Sequence, residues 1–141
     1  MARRRPAGSS TSTSASAPRC GARPAAGGNI ARTATDGRTI YVASNPGVIR
    51  AFDGATGALR WSTLLTGIPT KGGNVAYANG VVYYTDEPGA KAFDAATGKQ
   101  LWMSPVTPGA TIGSGIAVAG HQLVVNHYGK IAAYSIDGVV Q

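Results

Sequence analysis

Residues 51–61 read AFDGATGALRW, and residues 92–102 read AFDAATGKQLW. The second stretch begins 41 positions after the first, with Ala, Phe, Asp, Thr, Gly and Trp in register. A partial third copy, AYSIDGVVQ, begins at Ala133, again 41 positions on, and the sequence ends at Gln141 before a tryptophan is reached. A fixed period of about 40 residues is typical of repeat architectures. The chain is therefore interpreted first as a repeat protein.

The repeated stretch has the composition of a hairpin with a tight loop. In each copy we expect a strand to end at the aspartate and the next strand to begin after the glycine. The aspartate and threonine can accept hydrogen bonds from loop amides, and the glycine can adopt the left-handed backbone conformation that such loops need. In the two full copies the motif residues that we single out are Ala51, Asp53, Thr56, Gly57, Trp61, Ala92, Asp94, Thr97, Gly98 and Trp102.

Each tryptophan follows the loop glycine by four positions. At that distance a large flat side chain can lie between one sheet and the next, where its burial contributes on the order of 3 kcal/mol. We interpret Trp61 and Trp102 as packing residues of this kind. The alternative is that an indole face stacks on a ligand.

The pattern A-x-D-x-x-T-G-x-x-x-W resembles the tryptophan-docking motif of quinoprotein alcohol dehydrogenase propellers. The same motif occurs in non-enzymatic propellers built from pyrroloquinoline-quinone-like (PQQ-like) repeats. Two full matches and one partial match cover most of residues 29–141. The resemblance implies an all-β fold, a partial β-propeller of about three blades. Each blade would be a four-stranded antiparallel meander, with the third truncated, whereas closed propellers need at least four blades.

Short β-rich runs separated by turn residues support this organisation. We predict blades over residues 29–66, 73–106 and 114–141, joined by loops rich in Pro, Gly and Thr. In a propeller the first strand of each blade lines a central channel, and we expect the small residues Ala76, Ala78, Gly115 and Ala117 there. The predicted strands are 30–34, 39–43, 48–52, 58–63, 75–78, 81–85, 90–93, 99–103, 115–118, 122–126 and 130–134, and residues 139–141 would start a twelfth.

The first 28 residues differ from the rest of the chain. They consist mainly of Ser, Thr, Ala, Gly, Pro and Arg, and they hold five arginines and no acid, so most of the net charge of +7 belongs to them. We predict a disordered basic tail over 1–28, because such a composition cannot form a core. It is either a linker, a basic arm or sequence upstream of the true start. The single cysteine, Cys20, lies in it and is interpreted as a solvated bystander.

Catalytic and ligand-binding patterns are sparse. His121 and His127 are the only histidines, and we interpret both as turn or surface residues. The resemblance to the dehydrogenases implies pyrroloquinoline quinone, calcium and often a vicinal disulfide, but no matching ligand motif and no Cys-Cys pair occur here. We therefore predict no catalytic, cofactor-binding or metal-binding residues and no cofactor in this chain.

Two functions follow from the resemblance. The first is a non-catalytic propeller fragment that acts as a protein-binding or scaffold module. The alternative is a fragment of a quinoprotein dehydrogenase whose quinone and calcium site lies in missing blades. The expected partners are other proteins, the missing blades or a second copy of the chain, and neither nucleic acid nor a membrane span is expected. No signal peptide is visible, while the resemblance implies a periplasmic or extracytoplasmic location for a full-length protein.

Overall fold

The computed structural model describes residues 31–44, 47–65, 73–86, 89–105, 115–127 and 130–139. Several predictions fall outside these residues: the tail over 1–28 with Cys20, the connecting segments 66–72 and 106–114, and the end of the predicted twelfth strand at Val140 and Gln141. Within the described ranges all regular structure is β-strand. The prediction of an all-β fold is confirmed.

Eleven strands occur in the described residues, and each of their ends lies within one residue of the sequence prediction. Alternating apolar residues and turn residues at the strand ends define them. They are β1 (Ala31–Thr35), β2 (Thr39–Ser44), β3 (Val48–Asp53), β4 (Leu59–Leu64), β5 (Asn74–Ala78), β6 (Val81–Asp86), β7 (Gly89–Asp94), β8 (Gln100–Met103), β9 (Gly115–Ala119), β10 (Gln122–His127) and β11 (Lys130–Ser135).

The strands form three antiparallel sheets in sequence order. Blade 1 comprises β1 to β4 and blade 2 comprises β5 to β8, while blade 3 contains β9 to β11 among the described residues. Val139 lies in a turn, where its amide donates to the carbonyl of Ile136 at 3.0 Å. The partial propeller with a shortened third blade is thus confirmed.

The turns explain why the strands pair in this register. Asn79 and Gly80 between β5 and β6 have φ values of 49° and 78°. Positive φ at both central residues is the type I′ geometry that matches the twist of a hairpin, and the Asn-Gly sequence favours it. In blade 1 the carboxylate of Asp36 accepts hydrogen bonds from the amides of Arg38 (2.8 Å) and Thr39 (2.6 Å). These local bonds fix the hairpin between β1 and β2.

Two hydrophobic cores lie between successive blades. The first joins Tyr41, Ala43, Ile49, Ala51 and Leu65 of blade 1 to Val82, Tyr84, Phe93 and Ala95 of blade 2. The second joins Val81, Tyr83, Ala90 and Ala92 of blade 2 to Leu123, Val125 and Ile136 of blade 3. Each inner sheet surface is therefore stabilised by its neighbour.

The first strands of the blades converge. β5 lies beside both β1 and β9. On these strands Ala76, Ala78 and Gly115 are half-buried and Ala117 is exposed. A Cβ atom added to Gly115 would lie 3.2 Å from the Cβ of Asn126, so the small residue fits a close approach there.

Candidate functional site: the tryptophan contact between blades

The motif loops have the same hydrogen bonds in both full copies. Asp53 Oδ1 accepts from the amide and the hydroxyl of Thr56, both at 2.9 Å. Asp94 Oδ1 accepts from the amide and the hydroxyl of Thr97, both at 2.7 Å. Short polar side chains that bond to nearby amides stabilise turns in this way. Each loop is thus a rigid unit fixed by its own aspartate.

The loop glycines complete the turn. Gly57 has a φ of 69° and Gly98 a φ of 74°. Their amides donate to the carbonyls of Asp53 and Asp94, in each case at 2.8 Å. A side chain in this left-handed region is strained, so glycine is the residue that fits.

Trp61 carries the contact from blade 1 to the motif loop of blade 2. Its indole Nε1 donates to the carbonyl oxygen of Ala95 at 2.9 Å. Two residues later, the hydroxyl of Thr63 donates to the carbonyl oxygen of Gly98 at 2.7 Å. A Cβ atom on Gly98 would lie 2.5 Å from Cε3 of the indole, so the ring rests directly on the glycine. The structure therefore brings the tryptophan of one copy onto the loop of the next.

The strand next to the tryptophan explains the alanine of the motif. Ala51 is paired with Trp61, and Ala92 with Trp102, and a register shift follows each alanine. Both alanines are completely buried. A β-bulge changes the direction of the side chains that follow it. The small side chain of alanine opposite the indole leaves room for the ring.

Aromatic rings extend the contact beneath Trp61. The Tyr41 ring lies 6.0 Å from that of Trp61 and stacks on that of Tyr77 at 5.6 Å and an interplanar angle of 8°. The Tyr41 hydroxyl donates to Asp36 Oδ2 at 3.0 Å. Burial, followed by this bond to a carboxylate, raises the pKa of Tyr41 to about 12. Offset aromatic pairs of this kind add about 1 kcal/mol beyond their buried area.

The contact of Trp102 with blade 3 differs. Its ring meets Tyr134 edge-on at a centroid distance of 5.5 Å. No described residue accepts a hydrogen bond from its indole, and Gly138 of the third loop has nothing within 4 Å of where a Cβ would be. The third loop is one residue shorter than the others and carries Ser135 where they carry aspartate. Trp102 is therefore held by ring packing rather than by a loop carbonyl.

The carboxylates at the loop rim are engaged in local bonds. Asp53 forms an ion pair with Arg60 at 2.7 Å. This bond to Arg60, then the bonds to Thr56, hold the pKa of Asp53 well below its usual range. The bonds from Thr97 lower the pKa of Asp94, and the backbone bond from Thr39 is the main cause of the lowered pKa of Asp36. These carboxylates are ionised at neutral pH, and their oxygens bond to turns.

His121 lies in the turn between β9 and β10. His121 Nδ1 lies 2.8 Å from Asp137 Oδ1, with side chains that are 86% and 68% exposed. His127 ends β10. Across the described part of the chain, no group of three or more His, Cys, Asp or Glu residues is placed to hold a metal ion. The same residues contain no helix long and apolar enough to cross a membrane.

Two features were not predicted from the sequence. Lys91 is 1% exposed, with its Nζ 6.0 Å from the centroid of the Tyr84 ring. The hydroxyl of Tyr83 is buried in the second core, and no described residue forms a hydrogen bond with it. Lys91 lies in β7 where Arg50 lies in β3. The alternation of side chains between the two faces of a strand is the only sequence signal that could have predicted its burial between two sheets.

Two open grooves occur at the loop rim. A groove of about 550 Å³ lies between the blades and is lined by residues that include Tyr41, Tyr77, Asp94 and Lys99. A larger one of about 760 Å³ lies on blade 1 and is lined by residues that include Ile40, Gly54 and Arg60. The second groove lies on the side of blade 1 that faces no other described blade.

The pattern of loop, glycine and tryptophan extends to known proteins. Residues 4–141 match the family model described as outer membrane protein assembly factor BamB. The chain belongs to this family. The family match begins at residue 4, within the predicted tail, and runs to the end of the sequence. Curated protein sequences gave no significant match.

Solved structures of the BamB family and of quinoproteins share the fold. BamB from Moraxella catarrhalis superposes with a TM-score of 0.59 and 18% identity, over 73% of this chain and 32% of that one. A europium-containing methanol dehydrogenase superposes with a TM-score of 0.63 and 25% identity, over 79% of this chain and 24% of that one. The quinohemoprotein alcohol dehydrogenase ADHIIG from Pseudomonas putida HK5 superposes with a TM-score of 0.57 and 21% identity, over 70% of this chain and 17% of that one. The chain thus spans a third or less of each structure, and the predicted membership of the PQQ-like propellers is confirmed.

Proposed function

We propose that the chain is a non-catalytic PQQ-like propeller module that binds other proteins as a scaffold, in the assembly of outer membrane proteins. The observation that carries the proposal is the match of residues 4–141 to the model of an outer membrane protein assembly factor. Its compartment would then be extracytoplasmic.

The geometry of the described residues supports a scaffold. Asp53 and Asp94 each accept hydrogen bonds from amides of their own turn. The loop of Asp94 also accepts the indole of blade 1, and the loop of Asp53 resembles it. These hydrogen bonds fix the conformation of the loops, and a surface that is already ordered loses little conformational entropy on binding. Apolar side chains at the outer strands, among them Leu59 and Leu64, are 53% and 71% exposed and offer contact area.

The experiment is a titration of the full chain, labelled at Cys20, with the purified outer-membrane assembly complex of a Gram-negative bacterium. We expect saturable fluorescence anisotropy with a Kd on the order of micromolar. The Trp61→Ala variant is the matched control, since it carries the same label but loses the joint between blades 1 and 2. Unchanged anisotropy of the wild-type chain at about 100 μM complex, equivalent to binding weaker than about 5 kcal/mol, would contradict the proposal.

The second candidate is a part of a quinoprotein dehydrogenase, which the fold similarity to the methanol and alcohol dehydrogenases favours. Under it, residues outside this chain would hold the quinone and its metal. An alcohol oxidation assay with the chain, pyrroloquinoline quinone and either calcium or europium tests whether this chain is itself catalytic. We expect no quinone-dependent turnover, and turnover that disappears when the quinone is omitted would contradict the proposal that this chain is non-catalytic.

A further inference from the structure

The two full motif loops differ in one ion pair. In blade 1, Arg60 Nη2 lies 2.7 Å from Asp53 Oδ2. Asp94 is the equivalent aspartate of blade 2, and each aspartate bonds through Oδ1 to the threonine of its own loop. The place of Arg60 is taken in blade 2 by Leu101, which follows it by 41 positions. Because an aliphatic side chain cannot pair with a carboxylate, blade 2 has the acid of this pair without its base.

The carboxylate of Asp94 therefore has one oxygen to offer. The hydrogen bonds that it accepts from described residues go to Oδ1, and no described cation forms an ion pair with it. Those bonds lower the pKa of Asp94, so the group is ionised at neutral pH. Its Oδ2 is available to a cation from outside the described residues.

An aromatic pair lies beside this carboxylate. Asp94, Tyr41 and Tyr77 all line the groove of about 550 Å³ between blades 1 and 2, which we call the inter-blade groove. The half-buried Tyr77 stacks on Tyr41, and its hydroxyl accepts from the amide of Gly80 at 3.2 Å. The carbonyl of Gly80 accepts in turn from the amide of Ala95, the residue after Asp94, at 2.9 Å. These two bonds hold the aromatic pair next to the loop of Asp94.

The charged groups of the inter-blade groove favour a cation. The charge of Arg60 is balanced by its ion pair with Asp53. The remaining charged groups that line the groove are the carboxylates of Asp36 and Asp94 and the ammonium of Lys99. Both carboxylates have a lowered pKa and are ionised at neutral pH. A net negative charge beside an aromatic ring is complementary to a planar cation.

We propose that the inter-blade groove binds an arginine side chain of a protein partner, with the guanidinium on Asp94 Oδ2 and against the Tyr77 ring. Arginine is favoured over lysine because its planar fork both pairs with carboxylates and stacks on aromatic rings. Arg60 on Asp53 is an example of the first contact at the equivalent loop of the same chain. Leu101, which is 42% exposed, would contact the aliphatic part of the arginine. The proposal names what the scaffold recognises in its partner and rests on the scaffold function.

The test uses an arginine peptide as the probe. The isotope-labelled full chain is titrated with acetyl-Gly-Arg-Gly-amide at constant ionic strength, and its backbone amides are followed by heteronuclear NMR. We expect saturable shifts at Thr97, Lys99 and Leu101. The same peptide with citrulline in place of arginine keeps the shape of the side chain but lacks its charge. It should bind roughly fivefold more weakly, the factor that corresponds to an exposed ion pair of about 1 kcal/mol.

A variant can close the site from within the chain. Leu101→Arg supplies to Asp94 the guanidinium that Arg60 supplies to Asp53, and it should weaken binding of the arginine peptide roughly fivefold. Met103→Arg is the matched control, since Met103 lies on the same strand and is 47% exposed but does not line the groove. It adds the same charge and should leave peptide binding nearly unchanged. Circular dichroism of both variants checks that the fold is retained.

Four results would overturn the proposal. They are a lack of saturable shifts, equal binding of the arginine and citrulline peptides, and a loss of binding in Leu101→Arg no larger than in Met103→Arg. The fourth is tighter binding of the peptide when the five arginines of residues 1–28 are replaced by glutamine in the full chain, which would show that the chain's own tail is the occupant.

The peptide titration does not involve the outer-membrane assembly complex. A chain that binds the complex but not the peptide would contradict the arginine site alone. A chain that binds the peptide but not the complex would contradict the scaffold function alone.

Discussion

Truncation of the two tryptophans should have unequal effects on stability. Trp61→Ala removes an indole that bonds to Ala95 and rests on Gly98, whereas Trp102→Ala removes a ring that packs on Tyr134. Core tryptophan truncation costs about 3 to 5 kcal/mol. The hydrogen bond adds about 1 kcal/mol, and its loss leaves a carbonyl oxygen without its donor. We therefore expect Trp61→Ala to lower the free energy of unfolding by at least about 1 kcal/mol more than Trp102→Ala does.

The assay is equilibrium unfolding in urea, followed by far-ultraviolet circular dichroism so that loss of a fluorophore does not matter. With a slope near 1 kcal/mol per molar urea, which is typical of small domains, the midpoints should differ by about 1 M. If Trp61→Ala does not fold, Trp61→Phe and Trp102→Phe replace the pair, since phenylalanine keeps a ring but lacks the indole N–H. Equal midpoints in both pairs, or a larger loss at Trp102, would refute the reasoning that the loop carbonyl strengthens the first contact.

Three further predictions concern the loops and the tyrosine below them. Gly98→Ala should lower the urea midpoint more than Gly57→Ala, because both substitutions strain a positive φ but only the first drives a Cβ into Trp61; equal losses would mean that backbone strain alone decides. The pKa of Asp94 is lowered from its ordinary 3.8, so the ionised carboxylate stabilises the fold fully above pH 3.8, and this stabilisation is lost as the pH falls through the lowered pKa. Acid titration of Asp94→Asn should therefore show a shallower loss of stability than wild type, and parallel curves would contradict this. Because the pKa of Tyr41 is raised from 10.0 to about 12, its neutral hydroxyl stabilises the fold fully below pH 10, and this stabilisation is lost as the pH rises toward 12. In Tyr41→Phe, stability should fall less over that interval, as measured by urea midpoints at several pH values, and an unchanged fall would exclude Tyr41 as its source.

Much of the fold could be predicted because its determinants are local. Asn79 and Gly80 specify a type I′ turn by their own conformational preferences, and the strands on either side follow from alternating apolar residues. The loop bonds of Asp53 and Asp94 involve residues at most three positions away. Such short-range chemistry is visible in a sequence.

The rest depends on contacts between distant residues. The bond from Trp61 to Ala95 spans 34 positions, and no residue at either end specifies which carbonyl accepts. The burial of Lys91 and the missing partner of the Tyr83 hydroxyl depend on how neighbouring sheets pack together. The groove of about 760 Å³ on blade 1 was likewise not predicted, because its shape depends on how Ile40, Gly54 and Arg60 come together in the folded blade.

The placement of Trp61 on the loop of the following blade divides the first joint between two repeats, one of which donates the hydrogen bonds while the next accepts them. A blade contributes an indole at its outer strand and offers two carbonyl oxygens at its own loop. A duplicated unit of about 41 residues therefore arrives with both halves of a compatible joint, and its neighbours need no compensating change. Nearest-neighbour contacts of this kind let repeat proteins change length by whole units. A change within a loop has a different effect, because the third loop is one residue shorter and no described carbonyl accepts from the indole of the preceding blade.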